Sequence, residues 1–182
     1  MRNHSPCHVD SPCQALGIPV PPGAYLPLTD DDIPEEARGA AFAKWVLSYY
    51  KHGNLNTRDF SQLKQRESDA SKQPTDTIPM EEITDFAPAA KCEAFIIDSQ
   101  TFLSAFINQT TKALFDLQIR ENWGGHSVWV VYGEASFWNV PYGVWNLEKQ
   151  VETSEINFKP IPGANHFVCH LFFSPLICSK PL

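Results

Sequence analysis

The sequence predicts a mixed α/β chain, with helices over its first two thirds and a strand-helix-strand-loop-helix unit at its C-terminal end. Three stretches predict this. "SVWVVYG", residues 127–133, is a short β-branched and aromatic run closed by glycine, the pattern of a buried parallel strand. "EINFKPI", residues 155–161, is a second such run and ends at a Pro-Gly turn. Ahead of residue 127 the apolar spacing is helical, most clearly where Ala37, Ala41, Phe42, Trp45, Val46 and Tyr49 share one face. There is no internal repeat.

The elements follow in order. Residues 1–32 are rich in proline and without periodicity, and read as a loop or extended arm. Residues 33–126 form a helical region. Its first helix opens at Pro34 with Glu35 and Glu36 at the positive end, and Gly53 stops it after Lys51 and His52. "NTRDFSQLKQRES" predicts a shorter helix capped by Asn56 or Thr57. "DASKQPTDTIP" is a linker and "MEEITDF" holds one turn. "AKCEAFIIDSQTFLSAFI" predicts a helix with Phe95, Ile96, Phe102, Leu103 and Phe106 facing inward, and "TTKALFDLQIREN" a further helix. Residues 127–182 are the α/β unit. Its two strands are expected to be parallel and joined by a right-handed crossover, with a helix from about Pro141. "HFVCHLFFSPLI" then opens as a last helix.

Composition excludes several functions. At 182 residues, 43% hydrophobic and 19% charged, the chain suits one globular domain. A formal charge of −7 without any Lys/Arg block argues against a nucleic-acid partner. The aromatics are not interleaved with basic residues, as a single-strand groove requires. No run approaches the roughly 20 apolar residues of a membrane span. The first residues lack the apolar core of a secretory signal, and five scattered cysteines fit reduced thiols, so a cytoplasmic location is expected. The two glycosylation sequons, at Asn3 and Asn108, carry little weight without such a signal.

The chemistry concentrates in the two loops that follow the strands. In open α/β sheets functional groups collect beyond the carboxyl ends of strands. The first loop, Gly133 to Asn139, carries Glu134; the second, "GANHF", carries His166. A carboxylate on one loop could orient an imidazole on the next for general-base work. The bland reading makes Glu134 a solvated loop residue and His166 a neighbour of a helix cap.

"VWVVYGEASFWNVPYGVWNLE" followed by "FKPIPGANHF" resembles the end of an α/β-hydrolase domain of the lidded, fungal type. The resemblance covers about residues 20–175 and is strongest over 127–167. In that family the last strands are followed by loops carrying the acid and then the histidine of a Ser…Asp/Glu…His arrangement. Pro162 to His166 matches the family's histidine loop, which makes His166 the expected catalytic base. Residues 33–121 would then be the cap inserted after the sixth strand, and the sheet an incomplete α/β-hydrolase sheet. The family's acid loop reads Gly-x-x-Asp, but here Ser136 stands where aspartate is expected. Glu134 is the nearest carboxylate, with Asp30, Asp31 or Asp32 after the preceding strand as alternatives. No Gly-x-Ser-x-Gly elbow occurs in the sequence, and its one His-Gly pair, His52-Gly53, falls at the end of the first predicted helix. The resemblance therefore implies a truncated or inactive form of a hydrolase acting on an ester, epoxide or similar small apolar substrate. It implies no cofactor. Ser136 lacks the second glycine a nucleophile elbow needs.

Phe137 and Trp138 are the expected lining of an apolar pocket beside His166. Core packing is the simpler role for the wider set of Trp129, Trp138, Tyr142 and Trp145. Two metal readings fail on spacing. His4, Cys7, His8 and Cys13 match no zinc or haem pattern, and His166, Cys169 and His170 lack the glutamate that follows the first histidine of a zinc-protease helix. The competing function is a non-catalytic protein that packs its partial sheet against another chain, with self-association through an exposed strand edge.

Overall fold

The computed structural model describes residues 7–73, 99–122, 127–151 and 156–166. Three parallel strands form its sheet: β1, Cys7–Val9; β2, Val128–Gly133; and β3, Ile156–Ile161, in the order β1-β2-β3. Val9 pairs with Val131, while β2 and β3 run in register from Val128 opposite Ile156 to Gly133 opposite Ile161. Among the described residues four α-helices accompany them: α1, Glu35–Leu47; α2, Ser99–Phe115; α3, Leu117–Asn122; and α4, Asn139–Glu148. The chain is thus mixed α/β, with a small parallel sheet. No described helix is long and apolar enough to cross a membrane.

The two expected strands are present and parallel, and α4 lies between them in sequence. The alternation along β2 shows which face is inside. Val128, Val130 and Tyr132 are buried, whereas Trp129 between them is 41% exposed. On the buried side lie Val140, Val144, Trp145 and Leu147 of α4, with Phe42 and Trp45 of α1 completing the core. Between residues 33 and 122 the described residues contain no strand.

The proline-rich arm departs most from expectation. Instead of a loop, it supplies β1 and then packs inward: Asp10, Cys13, Gln14, Leu16, Ile18 and Leu28 are all buried. The physical reason is polar pairing with α4. The Cys13 backbone N–H donates to Asn139 Oδ1, and Asn139 Nδ2 donates to Gln14 Oε1 at 2.8 Å. Gly143 makes the approach possible, since a Cβ there would lie 2.8 Å from the Cys13 Cα. Burial pushes the Cys13 thiol up to about 12, so it remains a neutral packing group at physiological pH.

Other boundaries moved for local reasons. Helix α1 ends at Leu47, short of Gly53, because Ser48 turns extended and its hydroxyl donates to the Lys44 carbonyl at 2.7 Å. Tyr49 and Tyr50 then enter the core, where the Tyr50 hydroxyl donates to the Trp45 carbonyl at 2.8 Å. The expected helix over residues 56–68 is instead two single 3-10 turns, Leu55–Thr57 and Phe60–Gln62, capped by Asn54 and Asp59. α2 runs unbroken through residues 108–111. The break falls at Asp116, whose carboxylate accepts from the N–H groups of Gln118 and Ile119 and so caps α3. α4 begins at Asn139, two residues ahead of Pro141. The "MEEITDF" turn and the last helix, with His4, Cys169 and His170, lie outside the described residues.

Candidate functional site

All three strands end at one place, and Asp10 is the residue that joins them. It follows β1 with φ 45°, a left-handed conformation that aspartate tolerates better than most residues. Its N–H still donates to the Val131 carbonyl at 2.8 Å, so the side chain leaves the ladder just past the end of β1. The carboxylate then accepts three groups of donors. Gly133 N–H reaches Oδ1 at 2.6 Å, and the Ser136 hydroxyl reaches Oδ2 at 2.9 Å and Oδ1 at 3.1 Å. His166 Nδ1 lies 2.7 Å from Oδ2.

Asp10 is 2% exposed. Burial pushes its carboxyl above the ordinary carboxylate range, and the His166 ring, the Gly133 N–H and the Ser136 hydroxyl oppose that push. A buried carboxylate with every donor aimed at it is the arrangement that tolerates a charge.

Asp10 and His166 come from strands that are not neighbours, and Gly133 at the end of the intervening β2 lets them meet. A side chain at Gly133 would drive its Cβ into the carbonyl oxygens of Ala164 and Asn165. Gly133→Ala is therefore expected to cost about 1–3 kcal/mol, as overpacked sites do, read as a lowered midpoint in thermal unfolding. An unchanged midpoint would show that the two loops give way freely.

The His166 loop is laced to the loop after β2. Glu134 N–H donates to the Ile161 carbonyl at 3.1 Å and Ala135 N–H to the Ala164 carbonyl at 2.8 Å. Gly163 turns the chain with φ 70°. Asn165, fully buried, donates its amide to the Leu47 carbonyl at the end of α1 at 2.9 Å. Phe137 meets the imidazole edge-on at a centroid distance of 5.0 Å. In the tautomer whose Nδ1–H donates to the Asp10 carboxylate, the ring carries its lone pair on Nε2, the form of a general base.

The sequence-derived site residues separate under this geometry. His166 is at the centre, with Phe137 packed against it. Trp138 is 1% exposed and donates its indole N–H to the Tyr25 carbonyl at 2.8 Å. Glu134 lines an open cleft of about 450 Å³ with Tyr49, His52, Asp69 and Lys72, a cleft that neither Asp10 nor His166 lines. The carboxylate bonded to the imidazole is that of Asp10. Asp30 pairs with Arg66 at 2.9 Å, Asp31 with Arg38 at 3.2 Å, and Asp32 is exposed. Ser136 is fully buried and gives its proton to Asp10. Among the described residues no cluster of three metal-ligating side chains occurs.

Sequence reasoning missed Asp10 and His52. Asp10 follows a three-residue strand, "CHV", inside a proline-rich stretch, too short to show a period. His52 stands at the end of an apparent helix, where a histidine passes for a dipole partner. Comparisons with protein-family models, curated proteins and solved structures gave no match to this chain.

Proposed function

We propose that Asp10 and His166 are the acid and base of a hydrolytic site of the α/β-hydrolase type, and that this chain alone does not turn over substrate. One observation carries the reading: the 2.7 Å contact of His166 Nδ1 with a buried carboxylate beyond the C-terminal ends of parallel strands. It is supported by the order of the groups along the chain, acid before histidine, and by the phenylalanine that fixes the ring. Asp10 takes the acid's role from the end of β1. Ser136, at the end of the next strand, holds that acid by its hydroxyl. The substrate class is an ester, epoxide or similar small apolar molecule, and the setting is cytoplasmic, in keeping with the free thiol of Cys13.

The missing part is the nucleophile. No Gly-x-Ser-x-Gly is present, and the Ser136 proton is directed at Asp10. His166 could still activate water, but general-base assistance contributes roughly 10²–10⁴-fold, against the 10⁶-fold or more typical of enzymes. The chain is expected to hydrolyse short-chain nitrophenyl esters no faster than its His166→Ala variant. Robust turnover that vanishes in His166→Ala would overturn the reading and point to another nucleophile.

A second reading, a binding protein that packs its partial sheet on another chain, is favoured by Trp129, exposed on β2. Size-exclusion chromatography separates the two. A monomer disfavours the binding reading, whereas complexes or self-association support it.

A further inference from the structure

His52 lies outside the Asp10–His166 pair, yet it touches the acid's support. The ring is part-buried and stacked on Tyr50, with centroids 5.9 Å apart and planes 9° from parallel. Its Nε2 lies 2.8 Å from the Ser136 carbonyl oxygen, an acceptor, so Nε2 carries a proton. Its Nδ1 accepts the Lys64 backbone N–H at 2.9 Å, so Nδ1 carries a lone pair. Both assignments agree on one species, the neutral Nε2–H ring. The bonds then run on from Ser136 through its hydroxyl to Asp10, and from Asp10 to His166. Two histidines 114 positions apart are thus joined through one serine and one carboxylate.

We propose that His52 is a positioning residue for the Asp10–His166 pair and that it works only as the neutral ring. This rests on the reading of Asp10 and His166 as an acid–base pair. The Ser136 carbonyl is anchored by the His52 proton, and the adjoining Ala135 carbonyl by the Tyr50 N–H at 2.9 Å. Together they fix the loop whose hydroxyl and Gly133 N–H set the direction of the Asp10 carboxylate. A protonated His52 would present an N–H to the Lys64 N–H. Two donors cannot face each other, and the 52–64 segment would release the ring.

The surroundings favour the neutral form. Tyr50 lies against the ring, and Lys51, Asp69, Lys72 and Glu134 line the cleft beside it with two charges of each sign. Asp69 receives the Ser71 hydroxyl, and Lys72 donates to the Gly163 carbonyl and lies over the Tyr49 ring. Burial is the main cause that holds the His52 pKa below the ordinary histidine range, with the Ser136 carbonyl opposing it. A depressed histidine contributes its stability above its unfolded pKa of about 6.5. That contribution falls as the pH drops below this value.

The test is imidazole NMR on the whole chain, following the Nδ1–H proton and the ring nitrogens of His166. His52→Gln places an amide N–H where Nε2 lies and keeps the bond to Ser136, but it does not titrate. His52→Asn keeps an acceptor near Nδ1 and loses the bond to Ser136. Wild type is expected to show a downfield Nδ1–H resonance for His166 near neutral pH that fades as the pH falls below about 6.5. His52→Gln is expected to keep that resonance to lower pH. His52→Asn is expected to lose it. If wild type shows the resonance and His52→Asn leaves it unchanged, or His52→Gln fades as wild type does, the role of His52 is refuted. If wild type lacks the resonance at every pH, the Asp10–His166 pair itself fails.

Discussion

Replacing Asp10 by alanine is expected to cost about 3–5 kcal/mol of folding free energy, because it strips several donors of their buried acceptor. The carboxylate is 2% exposed and receives the Gly133 N–H, the Ser136 hydroxyl and His166 Nδ1. Alanine leaves these donors facing a void too small to solvate them, and each unsatisfied buried donor costs roughly 1–3 kcal/mol. For a domain of this size the loss corresponds to a midpoint lower by roughly 6–20 °C. Asp10→Asn should behave differently. Its amide oxygen still accepts from Gly133, and it carries no charge for burial to oppose, so a cost within about 1 kcal/mol is expected. It reverses the imidazole instead, because an amide N–H facing Nδ1 forces the ring proton to Nε2. Urea unfolding followed by tryptophan fluorescence measures the first effect, and ring nitrogen shifts of His166 the second. If alanine and asparagine cost the same, the donors around Asp10 are solvated and the pair is a surface contact.

The contrast between these variants shows what the sequence could reveal about the site. His166 was legible because its loop has a local signature, a Pro-Gly turn after a strand and then the histidine within a few residues. Its carboxylate partner was not, because that residue stands 156 positions away and the two meet only through sheet order. The alternation of Val128, Val130 and Tyr132 marks a strand, but nothing local says that a three-residue run near the N-terminus pairs with it. Glu134 drew the assignment as the carboxylate nearest in sequence to the expected position. Ser136, at that position, serves the carboxylate rather than replacing it.

The fold divides along the same line. The strands at 128–133 and 156–161 and the helix between them are specified by dense, short-range apolar patterns that one packing arrangement satisfies. α1 was also legible, except at its end, where Ser48 turns the chain and Tyr50 is drawn in by the Ala135 carbonyl. That end is set by tertiary hydrogen bonding, which overrides helix propensity. In the same way the residues over 56–68 have helical preferences, but Asn54 and Asp59 bind nearby backbone N–H groups and hold single turns. The errors fall where the decisive bond is made by a distant residue or by a competing cap.

Trp45→Ala is the substitution expected to harm the core most, by about 3–5 kcal/mol. Trp45 is 5% exposed and holds four rings together. Phe137 lies 4.6 Å from it between centroids, Phe42 5.9 Å, Tyr25 6.3 Å and Trp138 6.5 Å. These rings come from α1, from the arm before it and from the loop after β2, so no single element can close over the gap. The indole N–H also donates to the Gln65 carbonyl at 2.7 Å, which ties the 3-10 region to α1. Trp45→Phe keeps most of the ring contact and loses that bond, for an expected cost nearer 1 kcal/mol from the bond and a further share from the smaller ring. The two variants therefore separate packing from hydrogen bonding. Phe137 touches both Trp45 and the His166 ring, so Trp45→Ala should also broaden the His166 imidazole resonances, while Trp45→Phe should not. Urea unfolding gives the energies and imidazole NMR the coupling. A Trp45→Ala loss below about 2 kcal/mol, under the range for large aromatic truncations, would mean that the neighbouring rings collapse into the space and that α1 is not held to the sheet by this residue.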